Sequence, residues 1–221
     1  MTYYTGAMKY WDQVFDNIEE YDPREEVAIP EIEEGISWIC KDSKLVLDFG
    51  FGTGKVVFRC LTKGVKKVYG IDISSSAVRL AESVAAKNDL KERVKFTQGS
   101  VAALKDLQSS TYDGIILFNV LDSLKPDHAM EVIFEAKRIL KPNGKVLVKL
   151  NPYLIEEKII SFERLGEEFY LEETGLYLWN LSNQRFEDVI RPNFDVEKLV
   201  VVEFKHKMTN RMYYLRNRTR S

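Results

Sequence analysis

The feature that most constrains this chain is a short apolar run that ends in a glycine-rich turn. Residues 44–57 read KLVLDFGFGTGKVV, in which the apolar run ends at Asp48 and Gly50, Gly52 and Gly54 follow at alternate positions. This pattern predicts a buried strand, a tight turn and the start of a helix. Glycine in such a turn permits positive φ and lets a ligand approach the backbone. The free N–H groups at the start of the helix favour a negative group.

A second strand ending in an acid supports a nucleoside site. Val68–Asp72 is apolar up to its last residue, and Asp72 lies 22 residues after Gly50. In doubly wound α/β folds, an acid about 20 residues past the glycine turn commonly accepts hydrogen bonds from a ribose. The order of strand, turn, helix, strand and acid therefore indicates a bound nucleoside.

The spacing around the glycines discriminates between nucleotides. A dinucleotide fingerprint needs Gly or Ala where Lys55 stands. A phosphate-binding P-loop needs a Ser or Thr hydroxyl after Gly54-Lys55, and Val56 follows instead. The sequence therefore predicts that neither NAD(P) nor ATP binds.

The glycine run resembles the first motif of class I S-adenosylmethionine (AdoMet)-dependent methyltransferases. The resemblance covers residues 44–151, about half of the chain. Asp72-Ile73 is similar to the family's second motif, Tyr112–Val120 to its fourth, and Leu140–Val148 to the turn into its fifth strand. The resemblance implies that AdoMet is the cofactor and that the chain is a methyltransferase.

The resemblance also assigns residues to the cofactor. Asp72 would bind the ribose hydroxyls, Ile73 would pack on the adenine, and the run Gln98–Val101 would read the adenine edge. Ser100 stands where the family usually has Asp, and Phe51 fills a turn position that is more often small, so we expect its side chain to point away. The whole predicted set is Asp48, Gly50, Phe51, Gly52, Gly54, Asp72, Ile73, Ser100, Val101, Asn119, Tyr10 and Trp11.

Alternating patterns along the chain predict an α/β fold. Strands are expected at 44–49, 66–72, 93–98, 112–118 and 144–150, and helices at 54–63, 75–88, 101–107 and 127–140, with a cap among Ser74-Ser75-Ser76. Such alternation implies a doubly wound parallel sheet. The resemblance adds two antiparallel strands, Val196–Phe204 and Arg211–Leu215, joined across Thr209-Asn210, to give a mostly parallel seven-stranded sheet.

We expect one domain, 1–221, in three parts. Residues 1–40 form an N-terminal helical cap, 41–151 the AdoMet-binding core, and 152–221 an acceptor-side insert with the closing strands. Apolar residues at helical spacing predict a helix over 7–21. The resemblance makes this helix a lid over AdoMet, with an aromatic character supplied by Tyr3, Tyr4, Tyr10 and Trp11, and an aromatic ring there could attract the sulfonium.

Composition limits the kinds of binding partner and the cellular compartment that we expect for this chain. The net charge of −2 predicts no general affinity for nucleic acid. We expect a cytoplasmic protein, because the sequence shows no membrane span and no signal pattern. Cys40 and Cys60 are expected to be buried free thiols, and the two histidines, His128 and His206, argue against a histidine-rich metal site.

Charge is unevenly distributed. Ten acids and one base lie between Asp12 and Glu34, and six bases and no acid lie between Lys205 and Arg220. One hypothesis is that both runs are solvated surfaces. The other is that the acidic run biases the active-site entrance toward cationic substrates.

The acceptor side carries less signal. Methyl transfer from a sulfonium needs positioning more than covalent help, and the sequence shows no nucleophile triad. Asn119 and Asp122 follow the fourth strand, so they are the candidate catalytic residues, with Asp122 able to orient an amine or take its proton; an ordinary turn role is the alternative. Tyr153, Tyr177 and Trp179 could line the acceptor pocket, although the last two could also pack a small hairpin onto the sheet.

Three functions remain open at this point. The first is methylation of a small molecule at nitrogen or oxygen by a monomer or homodimer. The second is methylation of RNA or protein, which only the basic C-terminal run supports. The third is a non-catalytic AdoMet-binding regulatory protein, because the acceptor side cannot be identified from the sequence.

Overall fold

The chain forms a mixed seven-stranded sheet with helices on both faces. The computed structural model describes residues 4–204 and 209–217. The sheet has the order β3-β2-β1-β4-β5-β10-β9. Its strands are β1 (Leu45–Phe49), β2 (Lys67–Asp72), β3 (Val94–Gln98), β4 (Tyr112–Phe118), β5 (Leu140–Leu150), β9 (Phe194–Glu203) and β10 (Thr209–Asn217).

A small antiparallel sheet and eight helices complete the described residues. The small sheet contains β6 (Glu163–Gly166), β7 (Phe169–Leu171) and β8 (Tyr177–Trp179). The helices are α1 (Thr5–Asp16), α2 (Pro30–Cys40), α3 (Lys55–Thr62), α4 (Ser75–Lys87), α5 (Ala102–Lys105), α6 (Pro126–Ile139), α7 (Glu156–Ile159) and α8 (Asn183–Ile190). None of these eight has an apolar stretch of the length that crossing a bilayer requires.

The pairing of the strands creates the place where a ligand can bind. Strands β1 to β5 run parallel, and β1 pairs with β2 on one side and with β4 on the other. The chain order therefore reverses between β1 and β4, where open α/β sheets hold their ligands. Strand β10 is antiparallel to both β5 and β9, which confirms the predicted closing pair.

The core lies on both faces of the sheet because successive strand residues point to opposite sides. Val46 and Leu47 are both fully buried, but they belong to different apolar clusters. The cluster of Leu47 includes residues of α6 and α8, and that of Val46 includes residues of α2, α3 and α4. The run Leu45-Val46-Leu47 is continuously apolar for this reason, as is typical of a strand covered on both faces.

The elements differ from the sequence predictions at the two ends of the chain. Helix α1 ends at Asp16 rather than at residue 21, and α2 was not predicted, although Pro30 at its start and buried Ile32, Ile36 and Ile39 mark it. The predicted turn at Thr209-Asn210 is wrong, because both residues lie in β10. The predicted cap is confirmed, since the Ser74 side chain accepts a hydrogen bond from the Ala77 N–H.

Seven of the ten acids of this run form ion pairs, five of them with Arg59, Arg79, Lys87 and Lys198 of α3, α4 and β9. These pairs favour the hypothesis of a structural surface over a cationic-substrate entrance. They join Asp16 to Arg79, Glu20 to Lys87, Glu26 and Glu33 to Arg59, and Glu34 to Lys198.

The basic C-terminal run lies only partly within the described residues. Arg216 pairs with Glu197, and Arg211 is buried and donates to backbone carbonyls. Tyr3 and His206 fall outside the described residues, as do the other four bases of the run, Lys205, Lys207, Arg218 and Arg220.

Candidate functional site

The glycine turn adopts a backbone that only glycine takes without strain. Gly50, Gly52 and Gly54 have φ values of +77°, +56° and +81°. A Cβ on Gly50 would also lie 2.3 Å from a methyl carbon of Val120. The backbone of the turn between β1 and α3 therefore favours glycine at these alternate positions.

Asp72 ties this turn to the end of β2. One carboxylate oxygen accepts the Gly52 N–H at 2.8 Å, and the other accepts the Ser74 N–H at 2.9 Å. Burial raises the pKa of this carboxyl, while the hydrogen bonds from Ser74 and Gly52 oppose the rise. The acid that the sequence assigns to a ribose is thus held rigidly beside the glycine turn.

A cavity of about 240 Å³ opens over the carboxyl ends of the first four strands. Its floor includes the glycine turn, Asp72 and the segment that follows β3. Helix α1 covers it with the side chains of Ala7, Trp11 and Phe15, together with Tyr4, which directly precedes the helix. The wall is mostly apolar, with Asp72, Ser100, Asn119 and Ser123 among its polar members.

Hydrogen bonds hold α1 in place over the cavity at two points. The Asp12 carboxylate accepts the Ser74 hydroxyl at 2.6 Å and the Ser76 N–H at 3.1 Å. Near the start of the helix, the Tyr4 hydroxyl lies 2.7 Å from His128 Nδ1. These contacts hold α1 across the cavity because Ser74 follows β2 whereas His128 lies on α6.

A second cavity of about 480 Å³ adjoins the first on the side of β3. The two share Tyr4, Ile73 and the segment Gly99–Val101. The second cavity adds polar side chains, namely Gln98, Lys105, His128 and Glu131. A ligand longer than the first cavity could therefore extend toward β3.

The first cavity brings together eight of the twelve residues that the sequence assigns to the cofactor. These are Gly50, Gly52, Asp72, Ile73, Ser100, Val101, Asn119 and Trp11. The other four, Asp48, Phe51, Gly54 and Tyr10, do not line it. Phe51 turns away, as expected, and packs on Phe96 with ring centroids 5.0 Å apart.

Tyr10 and Gly54 have other neighbours. The Tyr10 ring contacts the edge of Trp11, and only the Trp11 ring reaches the cavity. A Cβ on Gly54 would lie 3.2 Å from the Ala81 Cβ on α4, so this glycine permits close packing of α3 and α4. Tyr10 and Gly54 therefore pack against neighbouring residues instead of lining the cavity.

Asp48 lies beneath the turn rather than in the cavity. It is buried, and its Oδ2 atom has no hydrogen-bond partner among the described residues. Burial, with the charge of nearby Asp72, raises the pKa of Asp48 to about 8. The carboxyl is therefore largely protonated at neutral pH and carries little charge toward a ligand.

The sequence analysis missed several residues of the cavity wall. Phe15, which is not among the predicted cofactor residues, stacks on Trp11 and lines the cavity. Phe49 and Phe118, at the ends of β1 and β4, also line it. The available signal was position, because both residues lie at the carboxyl ends of central strands, where ligands of open α/β sheets bind.

Asn119 is held by neighbouring side chains at the end of β4. Its φ of +56° is a left-handed conformation that Asn tolerates better than most residues. Its side-chain N–H donates to Asn151 Oδ1 at 2.5 Å, and its Oδ1 accepts from the Lys149 ammonium. Both ends of the Asn119 amide are thus engaged by β5 and the residue that follows it.

Asp122 does not line the cavity, which favours the alternative of an ordinary turn role over a catalytic one. The residue lies in a single 3₁₀ turn, Leu121–Ser123, and is 1% exposed. Its Oδ2 accepts the Asn151 N–H at 2.5 Å, and Arg211 donates to the Asn151 carbonyl at 2.8 Å. The 3₁₀ turn directs this carboxylate inward, where burial raises its pKa to about 6.

The aromatic candidates of the insert lie outside the cavity as well. Tyr153 is 49% exposed. Tyr177 and Trp179 form β8 of the small sheet, and Trp179 is buried in the core. Tyr177 contacts the edge of the Tyr4 ring. The alternative of hairpin packing is therefore the better description of β8.

Known proteins share this sequence pattern and fold. Residues 46–144 match the protein family described as "Methyltransferase domain". The tRNA N(3)-methylcytidine methyltransferase trm140 of Schizosaccharomyces pombe is 25% identical, over 93% of this chain and 72% of its own length. The protein-lysine N-methyltransferase efm4 of the same organism is 27% identical, over 73% of this chain and 81% of its own length.

Solved structures share the whole architecture at low identity. The [4+2]-cyclase SpnF superposes with a TM-score of 0.73 at 15% identity, covering 100% of this chain and 97% of its own. The 1,6-didemethyltoxoflavin-N1-methyltransferase of Burkholderia thailandensis, solved with S-adenosylhomocysteine, gives 0.68 at 16% identity, covering 98% and 86%. At this identity the likeness establishes the fold.

Proposed function

We propose that this chain, whose residues 46–144 match a methyltransferase domain, is an AdoMet-dependent methyltransferase that methylates a small molecule at a nitrogen or oxygen atom. The observation that carries the proposal is the cover that α1 forms over the cavity. Three α1 side chains and Tyr4, which directly precedes the helix, close the space above the strand ends, which suits a metabolite-sized acceptor.

The residues that line the cavity are compatible with one binding mode of AdoMet. In this proposal the ribose hydroxyls bind Asp72, the adenine packs against Ile73 and Val101, and the sulfonium lies near Trp11 and Asn119. A carboxylate has about four acceptor positions, and Gly52 and Ser74 occupy two on Asp72. Two remain for the ribose diol.

Positioning carries the chemistry in this proposal. Proximity and orientation supply roughly 7–11 kcal/mol in well-aligned reactions. Asp122 acts as a positioning residue, since it is buried behind the cavity wall and holds the Asn151 N–H. The acceptor therefore arrives with a free lone pair or loses its proton to water.

Surface charge also favours a small acceptor. RNA binding draws on lysines and arginines that neutralise phosphates. Many of these side chains in the described residues instead pair with acids, as Arg59, Arg79 and Lys87 do. A base that already pairs with an acid is less available to bind the phosphates of a polyanion.

A macromolecular acceptor is the second candidate. It is favoured by the similarity to trm140, which extends over 93% of this chain, and to efm4 over 73%. Their names describe methylation of tRNA and of protein lysine. The third hypothesis, a non-catalytic AdoMet-binding protein, is less favoured, because the matching family and relatives are methyltransferases.

The decisive experiment is a transfer assay with AdoMet labelled on its methyl group. The purified protein is incubated separately with a metabolite extract below 1 kDa, with bulk tRNA and with a protein extract. We expect label only in the small-molecule fraction. Label in tRNA or protein alone would replace our proposal by the second candidate, and an Asp72→Ala variant controls for contaminating enzymes.

A further inference from the structure

The second cavity begins where the adenine lies in the proposed binding mode of AdoMet. Ile73 and Val101, against which the base packs in that mode, line both cavities, as does Ser100. The polar edge of a base held there therefore lies within reach of the polar side chains that only the second cavity contains.

Selection of adenine requires a fixed hydrogen-bond acceptor. The amino group of adenine donates hydrogen bonds, whereas the oxo group of hypoxanthine, at the same ring position, only accepts them. Ser100 stands where the family usually has Asp, and its hydroxyl can turn either its proton or its lone pairs toward the base. Ser100 can therefore bind either base and does not select between them.

Three of the four polar side chains that only the second cavity contains already have protein partners. The Lys105 ammonium can only donate hydrogen bonds, and it pairs with the Glu131 carboxylate. The Tyr4 hydroxyl lies 2.7 Å from Nδ1 of His128, the third of these side chains. These contacts leave the fourth side chain, that of Gln98, as the candidate for reading the base.

Gln98 presents an oriented acceptor at the end of β3. Its Nε2 donates to the Ile73 carbonyl at 3.1 Å. A carbonyl oxygen can only accept, so this bond fixes which end of the Gln98 amide is nitrogen. The Oε1 atom lies on the other side of the amide, and no group in residues 4–204 and 209–217 donates a hydrogen bond to it.

We propose that Gln98 makes this site specific for adenine, by accepting a hydrogen bond from the adenine amino group at Oε1. A Gln amide carries an acceptor beside a donor and so matches the hydrogen-bonding pattern of an adenine edge. The bond to the Ile73 carbonyl holds this amide next to the residue on which the base packs. The inference rests on the position of the adenine in the proposed function and does not depend on the methyl acceptor.

The first test compares two nucleosides on the wild-type protein. The probes are S-adenosylhomocysteine and S-inosylhomocysteine, in which an oxo group replaces the amino group, and both are titrated by calorimetry. We expect the adenine compound to bind more tightly by about tenfold or more, because a site built to bind an N–H group rejects an analogue that lacks it. Equal affinities, or no binding of either compound, would overturn the inference.

The second test changes the glutamine. Gln98→Met keeps the length of the side chain and removes the amide, so the two compounds should then bind with affinities within about twofold of each other. Ser100→Ala should keep the preference for the adenine compound. Gln184→Met is the matched control, because Gln184 is exposed on α8 and bonds to Asp188; it should change neither affinity.

Two results would assign the recognition elsewhere and overturn the inference. Equal weakening of both compounds by Gln98→Met, with an unchanged melting temperature, would mean that Gln98 only supports Ile73. Loss of the preference in Glu131→Gln or Ser100→Ala, but not in Gln98→Met, would assign the amino group to that residue. Either result leaves the small-molecule function standing. Methyl transfer to tRNA or protein alone would replace that function and leave the adenine preference unchanged.

Discussion

The Asp72 carboxylate accepts the backbone N–H of Gly52 at 2.8 Å, across the gap between β2 and the glycine turn. One side chain therefore both shapes the turn and faces the cavity. The residue that the sequence assigns to ligand binding is also a support for the backbone against which the ligand lies. Substitutions at either end of this hydrogen bond test the proposed site.

Asp72→Ala should weaken AdoMet more than tenfold while the protein stays folded. A hydrogen bond to a charged group contributes about 1.5–3 kcal/mol, and 1.4 kcal/mol is a factor of ten in affinity. Calorimetric titration measures the change. Asp106→Ala is the control, since Asp106 is exposed beyond α5. Wild-type affinity in Asp72→Ala would remove the ribose assignment.

Gly52→Val should weaken AdoMet at least as much as Asp72→Ala. Its φ of +56° disfavours a side chain, and a Cβ would lie 3.4 Å from the Phe15 ring, on the cavity side of the turn. Gly64→Val separates strain from obstruction. Gly64 has φ +94° with open space around its Cβ position, so this variant should lose stability and keep its AdoMet affinity. Equal affinity losses in both would assign the effect to backbone strain.

The sequence predicted the backbone of the site better than its walls. The glycines and Asp72 could be found because a tight turn and a ribose impose residue types at fixed spacing. Phe15 could not be assigned to the cavity, because the path of α1 depends on Asp12 meeting Ser74, 62 residues away. The sequence could not decide between the two roles of Asp122, because its position after β4 gave no sign that a 3₁₀ turn directs it inward.

Asp48→Asn should make the protein more stable above neutral pH. The folded-state pKa of about 8 lies above the unfolded value near 4. Stability that the protonated carboxyl contributes is fully present below pH 4 and is lost as pH rises toward 8. An amide stays neutral, so the stability difference between variant and wild type should grow by about 1.4 kcal/mol per pH unit in this window.

Urea unfolding of the ligand-free protein at pH 5 and pH 8 measures this difference. Asp72, whose pKa is also raised by burial, is present in both proteins and cancels to first order. Asp106→Asn, at an exposed residue beyond α5, is the control. Parallel pH curves for wild type and Asp48→Asn would mean that Asp48 is ionised in the folded state.

Helix α1 should become more protected from hydrogen exchange when AdoMet binds. A lid must open for ligand exchange, so its local stability is lower than that of the sheet. The measurement compares amides 5–15 with and without AdoMet. Asp12→Asn should increase exchange in α1, because it weakens the bonds to Ser74 and Ser76. Asp16→Asn, which loses only an exposed pair with Arg79, should change little.

Deleting residues 1–15 extends the test to catalysis. The truncated protein loses Tyr4, Trp11 and Phe15 from the cavity wall, so water would reach the sulfonium. Methyl transfer should fall by more than tenfold, whereas the urea midpoint should fall only modestly, since the sheet keeps its own two cores. Equal protection of α1 with and without AdoMet, together with full activity after deletion, would show that α1 is packing and that the small-molecule proposal has lost its main support.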